Sequence, residues 1–273
     1  MPLDAFLLAL AAAALHAGWN ILVARAQDVR AATTVAVCLS VVLFAPVAVA
    51  TWDVEAAAAP WLALSAALEL AYFALLTAAY RTSDVSLVYP IARGVAPVLV
   101  LAGASLAGAI LGALQAVGVV VVGAGVLLVR GARGHADRRG VLLALAIALT
   151  IAGYTLADNE GIEHASAIAY LELVLAPVAI IALVAYGATG RIASVRAEIG
   201  PGSVAAAVAS FGAYALVLAA LERAPAASVA AVRETSVLFA IVLGAVVLNE
   251  RVTRVRVLGA ALMVIGVAFV ATA

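Results

Sequence analysis

The sequence predicts an all-α integral membrane protein of about ten transmembrane helices, arranged as two inverted five-helix repeats. Three observations predict it. Of 273 residues, 67% are hydrophobic and only 11% charged, too few polar groups to cover a water-soluble surface of this size. The apolar residues fall into runs near the roughly 20 residues that a helix needs to cross a bilayer core. The longest polar interruption near the middle, RGARGHADRRG from Arg130 to Gly140, has five such runs on each side.

The first run, Leu3 to Ala24, carries Asp4 where a cleaved signal would have a basic segment, and it is too long for a signal core. It reads as a retained span. Charges, prolines and glycines then delimit spans near Ala31 to Ala50, Ala58 to Tyr80, Val85 to Leu106, and Ala109 to Val129. Five more follow near Val141 to Ala157, Ala165 to Tyr186, Ser203 to Leu221, Ala226 to Leu248, and Val255 to Thr272. The organisation is a first repeat over 1–130, a linker over 131–140 and a second repeat over 141–273.

Sliding one half over the other supports the repeat. Tyr72, Arg81, Ser86 and Val95 coincide with Tyr214, Arg223, Ser228 and Val237 at a constant offset. Gly118 and Gly125 match Gly259 and Gly266 after a one-residue gap, and Ala17-Gly18-Trp19 faces Ala152-Gly153-Tyr154. An odd number of spans per repeat makes the second half start on the opposite side of the membrane, so the repeats are inverted. Secondary transporters use that arrangement to enclose a site near the bilayer midplane. The glycine pairs, Gly108 with Gly112 included, predict close helix packing.

All 15 basic residues are Arg, as a GC-rich genome would give, and their placement sets topology. Loops on one side hold Arg25, Arg30, Arg81, Arg130, Arg133, Arg138, Arg139, Arg191, Arg196, Arg251, Arg254 and Arg256, whereas the side of the termini holds Arg223. The positive-inside rule then puts both termini outside. Cys38, alone in an apolar run, can form no internal disulfide and reads as a packing residue.

Polar residues inside spans cost a few kcal/mol each on insertion scales, so each needs a partner, a water-filled cavity or a function. His16 and Asn20 share a face of the first helix beside Trp19, as an interhelical hydrogen bond or as cavity lining. Glu69, Phe73, Thr77 and Tyr80 form one stripe of the third, with Tyr72 adjacent. Glu69 could exchange a proton during transport or be fixed in an ion pair with Arg93. The fourth helix reads Tyr89-Pro90-Ile91-Ala92-Arg93-Gly94-Val95-Ala96-Pro97, which predicts a kinked or broken helix. Arg93 there either holds an anionic substrate group or is neutralised by Glu69 or Glu172.

In the second half, Tyr154 and Asp158 lie four apart, with Asp158 readable as an interfacial cap beside Asn159 and Glu160. Glu172, near Tyr170, is deeper and ranks above Asp158. Arg233, Glu234, Thr235 and Ser236 make a polar run inside the ninth span. Neighbours on a helix point about 100° apart, so Arg233 and Glu234 should satisfy different partners. The candidate substrate-binding set is therefore His16, Trp19, Asn20, Glu69, Tyr72, Tyr89, Arg93, Tyr154, Glu172, Tyr214, Arg233 and Glu234.

Other classes lack their motifs. No G-x-x-x-x-G-K-[ST] loop implies nucleotide-driven pumping or an ATPase subunit, and neither HExxH nor an acidic metal cluster implies an intramembrane enzyme. Of His16, His135 and His164, only His16 falls in a span. No metal, cofactor or nucleic-acid partner is expected. The partners are a small-molecule substrate and the lipid bilayer, with the chain a monomer or homodimer.

RETSVLFAIVLGAVVLNERVT from Arg233 to Thr253 and LGAALMVIGV from Leu258 to Val267 resemble the EamA-type repeat of the drug/metabolite transporter superfamily. HAGWN from His16 to Asn20 and YPIARG from Tyr89 to Gly94 are similar to one branch of it, although Gly108-Ala109 stands where the second half has Asn249-Glu250. The resemblance implies a single-chain permease of small metabolites, often amino acids, with alternating access around a cavity between the first, third, fourth and corresponding second-repeat helices. It also implies cytoplasmic termini, against the Arg count, which we follow.

The expected function is secondary transport of a small polar metabolite, amino acid-like or an organic anion, across the cell inner membrane. Proton coupling or exchange would drive it. A multidrug exporter or lipid translocase of the same fold is the alternative, with the buried Glu69, Arg93 and Glu172 favouring a polar substrate.

Overall fold

The apolar runs become helices because a bilayer leaves no other partner for backbone N–H and C=O groups than the helix itself. A computed structural model describes residues 1–83, 85–110, 112–130, 138–247 and 253–272. Its helices are α1 (Leu3–Ala24), α2 (Val29–Ala50), α3 (Ala59–Thr82), α4 (Val85–Leu106), α5 (Ala113–Arg130) and α6 (Arg138–Gly161). They continue as α7 (Ala167–Ala188), a short α8 (Ile192–Ala197), α9 (Pro201–Leu221), α10 (Ala226–Arg233), α11 (Ser236–Val247) and α12 (Arg254–Thr272). Local signals set the starts: Asp28 accepts N–H bonds from Arg30 and Ala31 at 3.1 Å, and Pro60 and Pro201 sit in first turns, where no intrahelical N–H bond is lost.

Among the described residues, α1, α2, α3 with its preceding turn, α6, α7, α9 and α12 are long and apolar enough to cross a bilayer. Ile91–Leu106 and Ala113–Val129 are shorter apolar stretches. Large aliphatic side chains such as Leu3, Val42, Leu149, Val184 and Leu258 point outward, a surface suited to lipid rather than water. The chain is a multi-pass membrane protein.

Two helices differ from expectation. The fourth span, expected to be kinked or broken at its prolines, is not broken and runs as one helix from Val85 to Leu106. Neighbouring helices in a membrane tolerate the bonds that proline removes. The break falls instead in the ninth span, expected as one helix, which is split between α10 and α11. There Glu234, Thr235, Val237 and Leu238 donate N–H bonds three residues back, to Ala231, Val232, Glu234 and Thr235, and the Thr235 hydroxyl bonds Val232 O at 2.7 Å. This tighter turn replaces the four-residue ladder and re-aims Arg233 and Glu234. The fifth helix also begins later than expected, at Ala113. Gly108 is therefore in the preceding turn, at φ 94°, and does not form a helix-packing pair with Gly112.

The other glycine pairs do pack. A Cβ on Gly118 would lie 2.7 Å from the carbonyl oxygen of Gly266, and one on Gly266 would lie 2.7 Å from that of Gly118. Gly125 and Gly259 reciprocate at 2.8 Å. Backbone therefore meets backbone along α5 and α12. Helices of one half likewise lie along those of the other: α1 with α9, α3 with α6, α2 with α7, α4 with α10.

Loop contacts sort the ends into two faces. The Met1 ammonium donates to Ala271 O at 3.3 Å, Arg223 lies 3.5 Å from Asp4, and Glu55 N–H donates to His164 O at 2.9 Å. At the other face, Arg191 pairs with Asp28 at 3.0 Å, and Asp28 N–H donates to Glu198 at 2.8 Å. Much of the expected linker, including Arg133 and His135, lies outside the described residues, as do Asn249, Glu250 and Arg251.

Candidate functional site

Residues from both halves line a cavity of about 160 Å³. Glu69 lies about 15 Å along α3 from Ala59, near the middle of a roughly 30 Å hydrocarbon core. A void of that size matches the ~150 Å³ engineered cavity that accommodates benzene, so it suits a ligand of one ring or one amino acid.

Eight of the twelve candidates reach the cavity: His16 and Trp19 from α1, Glu69 and Tyr72 from α3, Arg93 from α4, Tyr154 from α6, Tyr214 from α9 and Arg233 from α10. The tyrosines form a connected wall. Tyr154 meets Tyr72 edge-on at 6.4 Å between ring centroids and Tyr214 at 6.3 Å. His16 packs edge-to-face on Trp19 at 5.3 Å. Ser40 and Ser210 add hydroxyls that sequence reasoning passed over, since serine in an apolar helix carries no pattern of its own.

Three candidates stand elsewhere. Asn20 donates to its own helix, at His16 O, over 2.6 Å. Glu172 is buried outside the lining, with Oε2 lacking a hydrogen-bond partner among the described residues. Glu234, fully buried behind the wall, has Oε2 3.2 Å from Arg93 Nε. Tyr89 falls on α4, and its side chain lies outside those described.

The charges divide accordingly. Arg93 is paired with Glu234 rather than with Glu69. Glu69 instead feels the field of Arg233, whose buried Nε has no hydrogen-bond partner among the described residues. Glu69 thus shares the cavity wall with two guanidiniums, Arg93, paired with Glu234 behind it, and Arg233, which makes no direct ion pair with Glu69. Such a wall can receive an ammonium at one point and a carboxylate or phosphate at another.

The residue most undervalued from sequence is Asp158. It is 1% exposed, accepts a 2.5 Å hydrogen bond from Ser65 and accepts another from the Tyr214 hydroxyl. Its spacing of four from Tyr154 was the available signal; Asn159 and Glu160 beside it imitated a helix cap.

Residues 138–272 match the model of the EamA-like transporter family. By its second half, the chain belongs to that family. No curated protein matches the sequence. A solved crystal structure overlays this EamA-like chain with a TM-score of 0.76 at 18% identity, covering 100% of this chain and 97% of that one. That likeness shows the fold alone. The family match makes the chain a membrane transporter of the drug/metabolite superfamily.

Proposed function

We propose that the chain is a secondary carrier of a small polar metabolite, working by alternating access in the cell inner membrane. Ten passes form two inverted halves, 1–130 and 141–273, joined through 131–140, and the solute sits between them. The observation that carries this reading is the cavity of about 160 Å³ with Glu69 and Arg233 on its wall. Opposite charges held apart by tyrosines suit a zwitterion or an organic anion, and the volume is too small for a lipid or a large drug.

Reciprocal contacts support the inverted halves. If α5 exchanges with α12, Gly118 takes the place of Gly259 and Gly125 that of Gly266, so the Gly118–Gly266 contact maps onto Gly259–Gly125. The pairs α1 with α9 and α6 with α3 exchange in the same way. Helices related like this can rock about a fixed central site.

Counterflow into proteoliposomes with radiolabelled L-threonine, L-phenylalanine, L-glutamate, succinate and choline tests the proposal. Saturable exchange of at least one is expected; movement of none of them, with a lipid probe flipped instead, would overturn it.

A further inference from the structure

We propose that Asp158, Tyr214 and Glu69 form a proton relay that leads from the cavity to the membrane face carrying the termini, with Ser65 holding Asp158 in place. The inference rests on the carrier reading and deepens it by assigning the route of the driving ion.

The geometry has three parts. Glu69 and Tyr214 both line the cavity. The Tyr214 hydroxyl donates to Asp158 Oδ2, so the phenol that shares the cavity wall with Glu69 also bonds the buried acid. Ser65, one turn before Glu69 on α3, donates to Asp158 Oδ1 at 2.5 Å. Asp158 itself is outside the cavity lining, sealed between helices three residues from the end of α6.

The groups facing Asp158 are Ser65 and Glu69 from α3, Tyr154 from its own helix, Tyr170 from α7, Tyr214 from α9 and Arg233 from α10. Hydroxyls make its direct contacts, and among the described residues no Arg or His nitrogen approaches it within 4 Å. A carboxyl solvated by hydroxyls rather than locked to a cation can exist in both protonation states. The end of α6 lies at a face where Asp53, Glu160 and Glu163 are exposed, beside Glu55 and Glu222, which pair with His164 and Arg223.

The transfer balances as a two-proton shift. The Glu69 carboxyl O–H breaks and its proton bonds the Tyr214 oxygen, while the original Tyr214 O–H breaks and that proton bonds Asp158 Oδ2. Glu69 ends as a carboxylate, Asp158 as a carboxylic acid and Tyr214 as a neutral phenol. No electrons are exchanged with any other group. Solute binding beside Glu69 would then be tied to loading of Asp158.

The test uses the full chain in proteoliposomes, with whichever of the five labelled solutes the wild type exchanges as the probe. Counterflow, which needs no net proton movement, is read beside accumulation driven by an imposed pH gradient. Asp158→Asn is expected to keep counterflow within about twofold and lose pH-driven accumulation at least tenfold, with Asp158→Glu recovering part of it. Ser65→Ala, which keeps the acid but frees it, is expected to lower pH-driven accumulation severalfold at unchanged counterflow, and it decides the matter if Asp158→Asn does not assemble. Undiminished pH drive in either variant, or wild-type counterflow with no pH drive at all, overturns the relay while leaving the carrier standing. Absence of wild-type counterflow overturns the carrier and the relay with it.

Discussion

Glu234, at the point where α10 ends, sits with its carboxylate 3.2 Å from Arg93 Nε on α4, both side chains almost entirely buried. The pair ties the fourth helix of one half to the broken helix of the other. It also removes Glu234 from the cavity and leaves its neighbour Arg233 to face the solute.

Breaking that pair should be costly. Glu234→Gln leaves a guanidinium buried without its counter-charge, a change worth about 3–5 kcal/mol in comparable sites. Thermal unfolding in detergent should show a clear loss for Glu234→Gln and a smaller one for the paired Arg93→Leu and Glu234→Leu replacement. Equal losses would mean that the pair is not what holds α4 to α10.

The glycine seam predicts opposite signs for the same substitution at two places. In Gly266→Ala the new methyl meets the Gly118 carbonyl oxygen at 2.7 Å and Val122 N at 2.8 Å, backbone atoms that cannot turn aside. Destabilisation of about 1–3 kcal/mol is expected, as for other overpacked sites. Gly18→Ala on α1 meets nothing within 4 Å and should gain up to about 1 kcal/mol from helix propensity. The two melting curves should move apart from the wild type.

Arg233 should matter to affinity. A charge-assisted hydrogen bond to a buried group is worth about 1.5–3 kcal/mol, so Arg233→Gln should weaken binding of the transported solute roughly 10- to 100-fold. Arg196→Gln, at an exposed position, should leave it unchanged. Titration calorimetry on purified protein reads both.

Charge placement predicts the orientation. In a Cys38→Ser background, Glu55→Cys should react with an impermeant thiol reagent from outside the cell, and Arg196→Cys only after permeabilisation, because arginine collects on the cytoplasmic face. The reverse pattern would place the termini in the cytoplasm.

The span pattern was legible because lipid imposes one simple rule, about 20 apolar residues per pass. Residues 3–24 and 85–106 came out of the sequence with the bounds the structure gives. The site was partly legible for a related reason: polar atoms at that depth are expensive, so His16, Glu69, Arg93, Tyr154 and Arg233 stand out in the sequence alone. Pairing was harder. A helix periodicity says which residues share a face, but it does not say which helix that face meets. The sequence therefore offers Glu69 or Glu172 as the partner of Arg93, whereas the structure pairs it with Glu234.

The helix break was misplaced because proline is a stronger local signal than a polar dipeptide. α4 runs on through its prolines, whereas the backbone tightens at the adjacent charges of Arg233 and Glu234. Asp158 was undervalued because burial depends on neighbouring helices, here α3, α7 and α9, that a single segment does not reveal.

The central claim, that a small solute passes through the cavity between the two halves, is tested most directly by filling it. Ala213 is a buried residue on α9 that lines the cavity, so a phenyl ring placed there would occupy it. Counterflow by Ala213→Phe should fall at least tenfold in protein that still purifies as a folded species with a wild-type melting curve. Exchange at the wild-type rate through that filled cavity would contradict the account.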